Sequence, residues 1–404
     1  VTLKYHIKQL DIRTAFLNGE LKERIIVHPP PGYEEPGYVW ELNRALYGLK
    51  QASKAWYDTL SNFLIDLGLK RSLVDPALFV GNECIIVVYV DDLIICCRGE
   101  TLLKEITQSL EQKFEIHDFP ELRKFVGVDV VQRDGTLYLN QKSFILEMAD
   151  SFGMLNANTA PTPIAGYDNF KCAQTTDDEL PIRQLIGSLM FVSQRTRPDI
   201  SFAVNYLSRF TSNPSEMLWK AAKRILRYLI GTSNLSIQIK ACDNWNINAF
   251  TDSGGAHKFE TSMTAGMAVY LNSNLVAWAS RKDGLANKSM AEWELSALVQ
   301  GYQVADGIRQ ILVNELHLES SIELLCDNKA TVDLIKSGKL SRTVYTEYRC
   351  KFIIQKIRED GVKLSFVKTS DQLADIFTKV LQVGAFTKLR DDLGLVELLG
   401  EPGV

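Results

Sequence analysis

The spacing of hydrophobic and polar residues changes repeatedly along the chain, and each change predicts an element. Two apolar runs, residues 84–88 and 93–97, flank the tetrapeptide Tyr89-Val90-Asp91-Asp92. Strand-forming residues on both sides of polar positions predict a β-hairpin with the aspartate pair at its turn. Adjacent carboxylates repel each other, and Mg²⁺ is a natural counter-ion because it prefers oxygen ligands. An ordinary surface turn is the alternative interpretation of the pair taken alone.

Helical periodicity appears in two stretches. Residues 52–67 carry apolar side chains at helical spacing, which predicts an amphipathic helix with a buried face. Residues 182–231 are strongly helical, and a predicted helix over residues 215–230 places four basic side chains on one face. That face either meets solvent or lies along a phosphate backbone, where basic residues release counter-ions. The four residues are Lys220, Lys223, Arg224 and Arg227.

Short alternating stretches predict strands elsewhere in the chain. Residues 118–140 have the pattern of two strands joined by a turn at Asp134-Gly135, and residues 125–128 are interpreted as core strand. A polar stretch over residues 159–180 predicts a linker. From residue 245 onward the pattern is strand, strand, strand, helix, strand, helix, strand, helix, which predicts a mixed α/β domain.

Composition restricts the class of protein. The 404 residues suffice for two or three domains, each with its own core. A hydrophobic share of 46% and a charged share of 23% are typical of soluble globular proteins, and no apolar run is long enough to predict a membrane span. The net charge of −4 argues mildly against nucleic-acid binding, although a local basic surface can override the total. The chain lacks an initiator Met and a signal-peptide core, which predicts a fragment or a processed product.

The cysteines give information about compartment and metal content. They number seven, and most lie in apolar surroundings, so we interpret them as reduced core residues in a reducing compartment. The chain has no Cys-x-x-Cys pair, and its five histidines are scattered. The sequence therefore does not favour a structural zinc site.

Asp11 is an upstream counterpart of the aspartate pair. It interrupts a mostly apolar stretch, and a strand interior tolerates a carboxylate only when the group is paired or binds a metal. Together with Asp91 and Asp92 it supplies three carboxylates. Three carboxylates suffice to hold two Mg²⁺ ions that promote an in-line phosphoryl displacement.

These segments resemble the reverse transcriptase of copia-type long-terminal-repeat retrotransposons. The resemblance is carried by the stretch around Asp11, by Tyr47-Gly48-Leu49-Lys50-Gln51-Ala52 with Ala55-Trp56-Tyr57, and by Tyr89-Val90-Asp91-Asp92. It implies that Phe16 lies beneath the deoxyribose and excludes a 2′-hydroxyl, with a core position as the alternative. It also implies that the incoming nucleotide is contacted by Tyr47, Gly48, Lys50 and Gln51. Residues 125–128 resemble a family segment near the primer strand, which leaves primer contact as the alternative to a core strand there.

Four further acidic residues stand out in the downstream pattern. Asp252 ends a short predicted strand, Asp327 ends the strand over residues 322–326, and Asp375 lies at a helix start. Glu294 lies on a helix predicted over residues 289–305. Carboxylates at the ends of neighbouring strands, joined by a glutamate from a facing helix, can converge on two metals. Such a site positions a water for attack on a phosphodiester.

The order Asp, Glu, Asp, Asp resembles the ribonuclease H domain of the same polyprotein. Glu294 matches better than Glu292, because the small residue expected near the glutamate follows Glu294 at the second position. A competing signal comes from residues 250–256, which resemble the active-site turn of aspartic proteases, where two carboxylates share a proton. The glycine-rich flap and second apolar strand of such proteases do not follow it.

The resemblance implies a multidomain α/β (α+β) fold. A polymerase palm with partial fingers would occupy residues 1–118. The end of the palm, a linker and a helical thumb- or connection-like region would occupy residues 119–240. A ribonuclease H-like mixed-sheet domain would occupy residues 245–395. The implied function is RNA-directed DNA polymerisation with ribonuclease H cleavage, using two Mg²⁺, or Mn²⁺, in each site.

The implied partners are an RNA template, a DNA primer, an RNA–DNA hybrid, deoxynucleoside triphosphates and other segments of the Pol polyprotein, without a membrane. The implied location is the cytoplasm, in a virus-like particle, with the nucleus as the alternative. A different class stays open, namely a catalytically silent remnant that binds nucleic acid or a protein. The short segment before Asp11, where the family has substantial fingers, favours this alternative, and the intact carboxylates oppose it.

Overall fold

The structure is a computed structural model that describes residues 1–119, 121–168, 170, 173–174, 180–254, 262–283, 290–338 and 344–398. The chain divides into two compact units, Val1–Val126 and Gly127–Val404. Helices and strands occur in both units, so the expected α/β class is confirmed. The finer division into three domains stays a prediction.

The first unit is built on one antiparallel sheet. Its order is β4-β5-β6-β7-β1-β8, and every neighbouring pair of strands runs antiparallel. The elements of this unit are β1 His6–Ile12, β2 Ile26–Val27, β3 Trp40–Glu41, α1 Ala52–Asp66, β4 Lys70–Arg71, β5 Leu78–Gly81, β6 Cys84–Tyr89, β7 Asp92–Cys97, α2 Glu100–Lys113, β8 Ile116–Phe119 and β9 Lys124–Phe125.

Helix α1 confirms the helix predicted over residues 52–67. Its buried residues Trp56, Leu60 and Leu64 recur at helical spacing, and they join a core cluster with buried strand residues such as Ile86 and Ile95. Residues in β6 and β7 alternate between buried and partly exposed positions, as expected for strands whose faces lie in different surroundings. The packing of α1 against this sheet fixes the strands that carry Asp11 and Asp92 and the turn that carries Asp91.

The second unit contains two sheets and most of the helices. Its elements are β10 Val128–Arg133, β11 Thr136–Asn140, α3 Lys142–Ser151, α4 Ile182–Arg195, α5 Ser201–Ser208, α6 Glu216–Gly231, β12 Leu235–Ile239, β13 Ile247–Gly254, β14 Thr264–Leu271, β15 Asn274–Lys282, α7 Met290–Gln310, β16 Ile322–Cys326, α8 Lys329–Ser337, α9 Val344–Glu359, β17 Lys363–Phe366, α10 Val383–Asp392 and β18 Leu395–Glu397.

One of these two sheets is mixed. Its order is β15-β14-β13-β16-β17, with the first three strands antiparallel and with β16 and β17 parallel to β13. The pattern predicted from residue 245 onward is therefore observed, with α8 and α9 in the place of one predicted helix. Strand β18 was not predicted; it pairs with β12, which extends the antiparallel β10–β11 hairpin.

The helices of the second unit share a hydrophobic core with the mixed sheet. Leu189 of α4 and Leu226 of α6 belong to the same buried cluster as Tyr270 of β14 and Phe377. The helical region is thus packed against the sheet rather than separated from it by solvent.

A buried ion pair fixes the start of α5 to the end of α6. Arg197 and Asp199 are fully buried, and their closest side-chain atoms lie 2.7 Å apart. The Tyr228 hydroxyl donates to Asp199 at 2.5 Å, and Arg197 donates to the Thr232 carbonyl at 2.9 Å. Because the charges are paired and hydrogen-bonded, their burial is tolerated, and removing one partner would leave an uncompensated charge.

A predicted turn and a predicted strand have different outcomes. The turn at Asp134-Gly135 is confirmed, since φ is 47° and 69° at these residues and positive values at both central positions match a type I′ hairpin. The interpretation of residues 125–128 as continuous core strand is wrong. Val126 and Gly127 have φ of 48° and 74°, so the chain turns between β9 and β10. Gly127 has no side chain, and an added Cβ would lie 2.8 Å from the Phe191 ring.

Two expectations from composition can be compared with the fold. None of the helices in the described part of the chain is long and apolar enough to cross a bilayer. Four of the six described cysteines are buried, namely Cys84, Cys97, Cys326 and Cys350. Cys172 lies outside the described residues.

Candidate catalytic sites

The aspartate pair lies at the tip of a tight hairpin, as predicted. Tyr89 of β6 pairs with Asp92 of β7, so Val90 and Asp91 form the two-residue turn between them. Val90 has φ of 58°, which is unusual for a β-branched residue and matches the first central position of a type II′ turn. The Trp56 indole donates to the Val90 carbonyl at 2.6 Å. The packing of α1 therefore holds a strained turn in place.

The same sheet brings Asp11 to this turn. Asp11 of β1 stands opposite Asp92 of β7, and the Ile12 amide donates to the Asp91 carbonyl at 2.9 Å. Burial raises the pKa of Asp11, and the charge of Asp91 raises it further. Burial also raises the pKa of Asp92, with additional contributions from Asp91 and Asp11. Three carboxylates thus repel one another across a sheet edge, and an oxygen-only donor set of this kind suits Mg²⁺.

Two residues beside these carboxylates were not predicted as site residues. Gln9 is 4% exposed, its amide donates to the Lys124 carbonyl at 2.7 Å, and its hydrogen bond to Asp92 lowers the pKa of that carboxyl. His117 of β8 stands opposite Asp11 and lowers its pKa. The sequence contained a signal for Gln9, because alternate residues of a strand share a face and Gln9 is two positions before Asp11.

The predicted nucleotide-binding residues do not line one cavity. The rings of Phe16 and Tyr47 lie 4.6 Å apart, and Phe16 lines an apolar cavity of about 360 Å³ beside Tyr89 and Val90. Lys50 and Gln51 instead line a different, charged cavity of about 550 Å³ on α1.

The left-handed backbone at Gly48, with φ of 99°, requires glycine. Gly48 therefore has a conformational role that does not depend on a ligand. Phe16 shares a cavity with Tyr89 and Val90 beside the aspartate turn.

The second carboxylate group is assembled around the mixed sheet. Asp252 lies inside β13, which extends two residues further than the strand predicted to end there, and Asp327 directly follows β16. Glu294 projects from α7, and Asp375 lies in a short 3-10 helix, Leu373–Phe377. Carboxylate oxygens of Asp252, Asp327 and Asp375 all lie within 4.8 Å of one another, and Glu294 lies within that distance of Asp327. The structure therefore brings the four predicted acids together.

Glycines permit this close assembly. A Cβ at Gly254 would lie 2.1 Å from the Thr378 carbonyl oxygen, and one at Gly266 would lie 2.5 Å from the Thr378 side chain. A Cβ at Gly301 of α7 would lie 2.4 Å from the side chain of Thr251 on β13. Larger residues at these positions would push the segment that carries Asp375, and the helix that carries Glu294, away from the strand that carries Asp252.

Burial and mutual repulsion dominate the electrostatics of this cluster. Glu294 is 4% exposed, and burial raises its pKa to about 8, with Asp252 as the main charge acting in the same direction. The Ser253 hydroxyl donates to Glu294 at 3.0 Å and partly offsets this effect. Burial and Asp252 together raise the pKa of Asp375 to about 7 and also raise that of Asp327.

Two neighbouring side chains, absent from the predicted site, hold the carboxylates in place. The Lys379 ammonium lies 2.8 Å from a carboxylate oxygen of Asp375 and 3.7 Å from one of Asp252. The Thr378 hydroxyl donates to Asp252. The spacing of four residues between Asp375 and Lys379 is a sequence signal for such a pair. Lysine supplies a positive charge at a site whose oxygen ligands otherwise suit a divalent cation.

Two alternatives for this region can be compared with the geometry. Two three-residue groups of possible metal ligands are found among the described residues; Glu294 belongs to one of them, and Glu292 belongs to neither. The protease-like turn includes residues 255 and 256, which lie outside the described residues. Its aspartate, Asp252, lies in the mixed sheet rather than at the tip of a loop.

The four basic residues of α6 are divided between two roles. Arg224 donates to the Thr162 hydroxyl at 3.1 Å, and Arg227 donates to the carbonyls of Asn158 and Thr159. Both arginines therefore hold part of the predicted linker against α6. Lys220 is exposed, and the Lys223 ammonium lies 5.1 Å from the centre of the Trp219 ring. Phosphate contact by this face stays a prediction, and it rests mainly on the two lysines.

Sequence comparisons place the chain in a family. The family described as Reverse transcriptase (RNA-dependent DNA polymerase) matches residues 1–166. A transposon Ty5-1 protein of Saccharomyces cerevisiae is 30% identical over 287 residues, which cover 68% of this chain and 92% of that protein. The chain belongs to the copia-type retrotransposon Pol polyproteins.

This Pol chain corresponds to part of longer relatives. The Retrovirus-related Pol polyprotein from transposon RE1 of Arabidopsis thaliana is 33% identical over 410 residues, which cover 98% of this chain and 28% of that protein. Among solved structures, a ribonuclease H1 isolated from compost by a metagenomic approach covers 36% of this Pol chain and 97% of its own chain. Its sequence identity is 16% and its TM-score is 0.28.

Proposed function

We propose that this Pol chain copies RNA into DNA and also cleaves the RNA strand of an RNA–DNA hybrid. The observation that supports the proposal is the presence of two carboxylate groups on two different sheets, one in each unit. The first contains Asp11 and Asp92 in register, and the second contains Asp252, Asp327 and Asp375 within 4.8 Å of one another. Both groups contain carboxyls with raised pKa values. Such donor sets suit pairs of Mg²⁺ or Mn²⁺ ions.

In the polymerase reaction, Asp11, Asp91 and Asp92 would hold the two cations. Bound there, the cations would lower the pKa of the primer 3′-hydroxyl and neutralise the triphosphate. The chain itself contributes the positions of the ligands, because hydrogen-bonded strands carry Asp11 and Asp92 and Gln9 orients Asp92. The Phe16 ring, supported by Tyr47, would exclude a 2′-hydroxyl.

In the cleavage reaction, Asp252, Glu294, Asp327 and Asp375 would hold the cations. Bound there, the cations would activate a water and stabilise the leaving oxygen. The Thr378 hydroxyl fixes the orientation of Asp252, and the Ser253 hydroxyl fixes that of Glu294. Lys379 pairs with Asp252 and Asp375, which lowers the cost of burying like charges together.

The proposed substrates follow from these two reactions. They are an RNA template with a DNA primer, deoxynucleoside triphosphates and an RNA–DNA hybrid, with other segments of the polyprotein as partners. The proposed location is the cytoplasm, inside a virus-like particle, with the nucleus as the alternative.

The test uses the full chain, purified without added metal. Primer extension on an RNA template and cleavage of labelled RNA in a hybrid are measured with Mg²⁺, with Mn²⁺ and with a chelator. We expect both activities with either metal and neither with the chelator. If the folded protein, verified by circular dichroism, shows neither activity with either metal but still binds a template–primer duplex, the silent nucleic-acid-binding remnant is the better description.

A further inference from the structure

Cys326 adds a thiol to the carboxylate cluster of the mixed sheet. It is the last residue of β16, directly before Asp327, and it is completely buried. Its sulfur lies 3.8 Å from a carboxylate oxygen of Glu294. The two reactions proposed above require oxygen ligands and give this thiol no role.

We propose that Glu294, Cys326 and Asp327 form a second metal site, which takes a thiophilic divalent cation such as Zn²⁺ or Cd²⁺ and overlaps the Mg²⁺ site. One ligand atom from each of the three residues lies within 4.8 Å of the others. Occupancy by such a cation inhibits cleavage of the hybrid, because Glu294 and Asp327 are then withdrawn from the oxygen-only cluster.

The distances fit a tetrahedral ion. Zinc binds thiolate sulfur at about 2.3 Å and carboxylate oxygen at about 2.0–2.2 Å, which places tetrahedral ligand atoms about 3.3–3.8 Å apart. The Glu294–Cys326 distance of 3.8 Å is already at that spacing. The remaining pairs, at no more than 4.8 Å, reach it by small side-chain rotations. A water completes the fourth position.

The chemistry of the donor sets separates the two kinds of cation. Magnesium prefers oxygen ligands, and Asp252, Asp327 and Asp375 would provide three of them. A thiolate selects a softer ion. Because Asp327 belongs to both sets, the two ions compete for it.

Burial raises the pKa of the Cys326 thiol, with Glu294 as the main charge acting in the same direction, and the backbone partly offsets this effect. The Asn328 amide donates to the Cys326 sulfur at 3.4 Å, and a hydrogen bond of this kind favours negative charge on sulfur. On binding, the thiol proton leaves to solvent and a metal–sulfur bond forms, so no oxidant or reductant is needed. With both carboxyls ionised, one thiolate and two carboxylates would give the site three negative charges against the two positive charges of the ion.

The experiment titrates the full chain with Cd²⁺ and follows thiolate-to-metal charge-transfer absorption in the ultraviolet. Other cysteines also bind this probe, so the informative quantity is the difference between the unmutated chain and Cys326→Ala. We expect Cys326→Ala to lose one equivalent of the absorption, with at least a tenfold weaker affinity at that site. Cys350→Ala is the matched control, since Cys350 is a buried thiol in the same core cluster as Cys326 and belongs to neither three-residue metal group found among the described residues. It should retain the full signal.

A second variant guards against a folding artefact. Cys326→Ser keeps a polar atom of similar size and should lose the sulfur absorption as Cys326→Ala does, with melting temperatures compared for all variants. Equal Cd²⁺ spectra for the unmutated chain and both Cys326 variants would overturn the proposal, and so would an equal loss in Cys350→Ala.

The binding measurement does not depend on the proposed nuclease function. If the chain cleaves a hybrid, Zn²⁺ added to excess Mg²⁺ should inhibit it, and Cys326→Ala should require at least tenfold more Zn²⁺ for the same inhibition. Equal sensitivity of the two proteins would overturn the inhibitory role. A chain that binds Cd²⁺ through Cys326 but cleaves no hybrid would contradict the proposed function while supporting the thiophilic site.

Discussion

Asp11 and Asp92 stand directly opposite each other on antiparallel strands β1 and β7, and each raises the electrostatic cost of ionising the cluster that they form with Asp91. The strands also fix the hairpin turn, because the amide after Asp11 donates to the Asp91 carbonyl. The geometry of one sheet edge thus decides where three carboxylates from distant parts of the sequence meet.

The first prediction concerns this edge. Asp91→Asn should reduce primer extension by more than about a hundredfold, because it removes a metal ligand while keeping the shape of the side chain. Binding of a template–primer duplex should change little. Asp118→Asn is the control, since Asp118 lies on the neighbouring strand β8 and forms a partly exposed ion pair with Lys8. Extension by Asp91→Asn at the unmutated rate would remove Asp91 from the metal site.

The second prediction concerns sugar selection. Phe16→Ala should increase incorporation of ribonucleotides relative to deoxyribonucleotides by about tenfold or more, since the ring would no longer fill the space beside Tyr89 and Val90. Competition between the two nucleotide types in primer extension measures the ratio. Phe63→Ala removes a ring that packs on Phe114 instead and should leave the ratio unchanged. An unaltered ratio in Phe16→Ala would assign Phe16 to packing alone.

The third prediction separates the two carboxylate groups. Asp327→Asn should abolish cleavage of RNA in a hybrid and leave primer extension unaffected, because Asp327 and the aspartates of β1 and β7 lie in different compact units. Asp333→Asn alters an exposed acid on α8 and should preserve both activities. Primer extension and hybrid cleavage are assayed in parallel on the same preparation of each variant. Loss of extension in a folded Asp327→Asn protein would show that the two groups do not act separately.

The fourth prediction distinguishes the lysines of α6 from its arginines. Replacing Lys220 and Lys223 with Gln should make the slope of log binding constant against log salt concentration less steep, by about 0.9 for each phosphate that these lysines neutralise. The melting temperature should change little. Replacing Arg224 and Arg227 with Gln should lower the melting temperature, because both hold residues 158–162. Identical salt slopes for the lysine variant and the unmutated chain would assign that face to solvent.

The fifth prediction concerns pH and metal. The pKa values of Glu294 and Asp375 rise from ordinary values of 4.5 and 3.8 to about 8 and about 7. Between these limits these two groups bind more protons in the folded chain than in the unfolded chain. Their contribution to stability is therefore fully present below about pH 4 and is lost as the pH rises through 7 to 8. A divalent cation compensates the ionised carboxyls. The rise in melting temperature caused by Mg²⁺ or Mn²⁺ should therefore be larger at about pH 9 than at about pH 6.

Calorimetry of the unmutated chain and of Glu294→Gln, at both pH values and with and without metal, measures how the metal-induced rise in melting temperature depends on pH. In Glu294→Gln this rise should depend less on pH, because the amide of glutamine does not titrate. A metal effect that is equal at both pH values, or larger in acid, would contradict the assignment.

The sequence alone predicts those elements whose conformation depends on residues close together in the chain. The hairpin around Asp91, the helix with Trp56 and the strand before Asp327 each depend on periodicity within a few residues, and all three are observed. The convergence of four acids from separate elements was inferred from family resemblance rather than from pattern.

Other features could not be predicted because they depend on distant partners. Gln9 acquires its role only when β7 lies beside β1, and Arg224 only when residues 158–162 fold back onto α6. Strand β18 is only three residues long, and its pairing with β12 depends on the fold of everything between them. The turn at Val126-Gly127 was misread as strand because apolar residues surround a glycine with left-handed backbone.

The pairing of β18 with β12 has a consequence for inheritance. Ile237 and Leu395 are both buried and stand opposite each other in register, although the whole mixed sheet lies between them in the sequence. Recombination between related elements at a breakpoint after β12 would join one parent's β12 to the other parent's β18. Such chimaeras should survive selection only when the parents carry compatible side chains at these two positions, so the two positions should vary together among descendants.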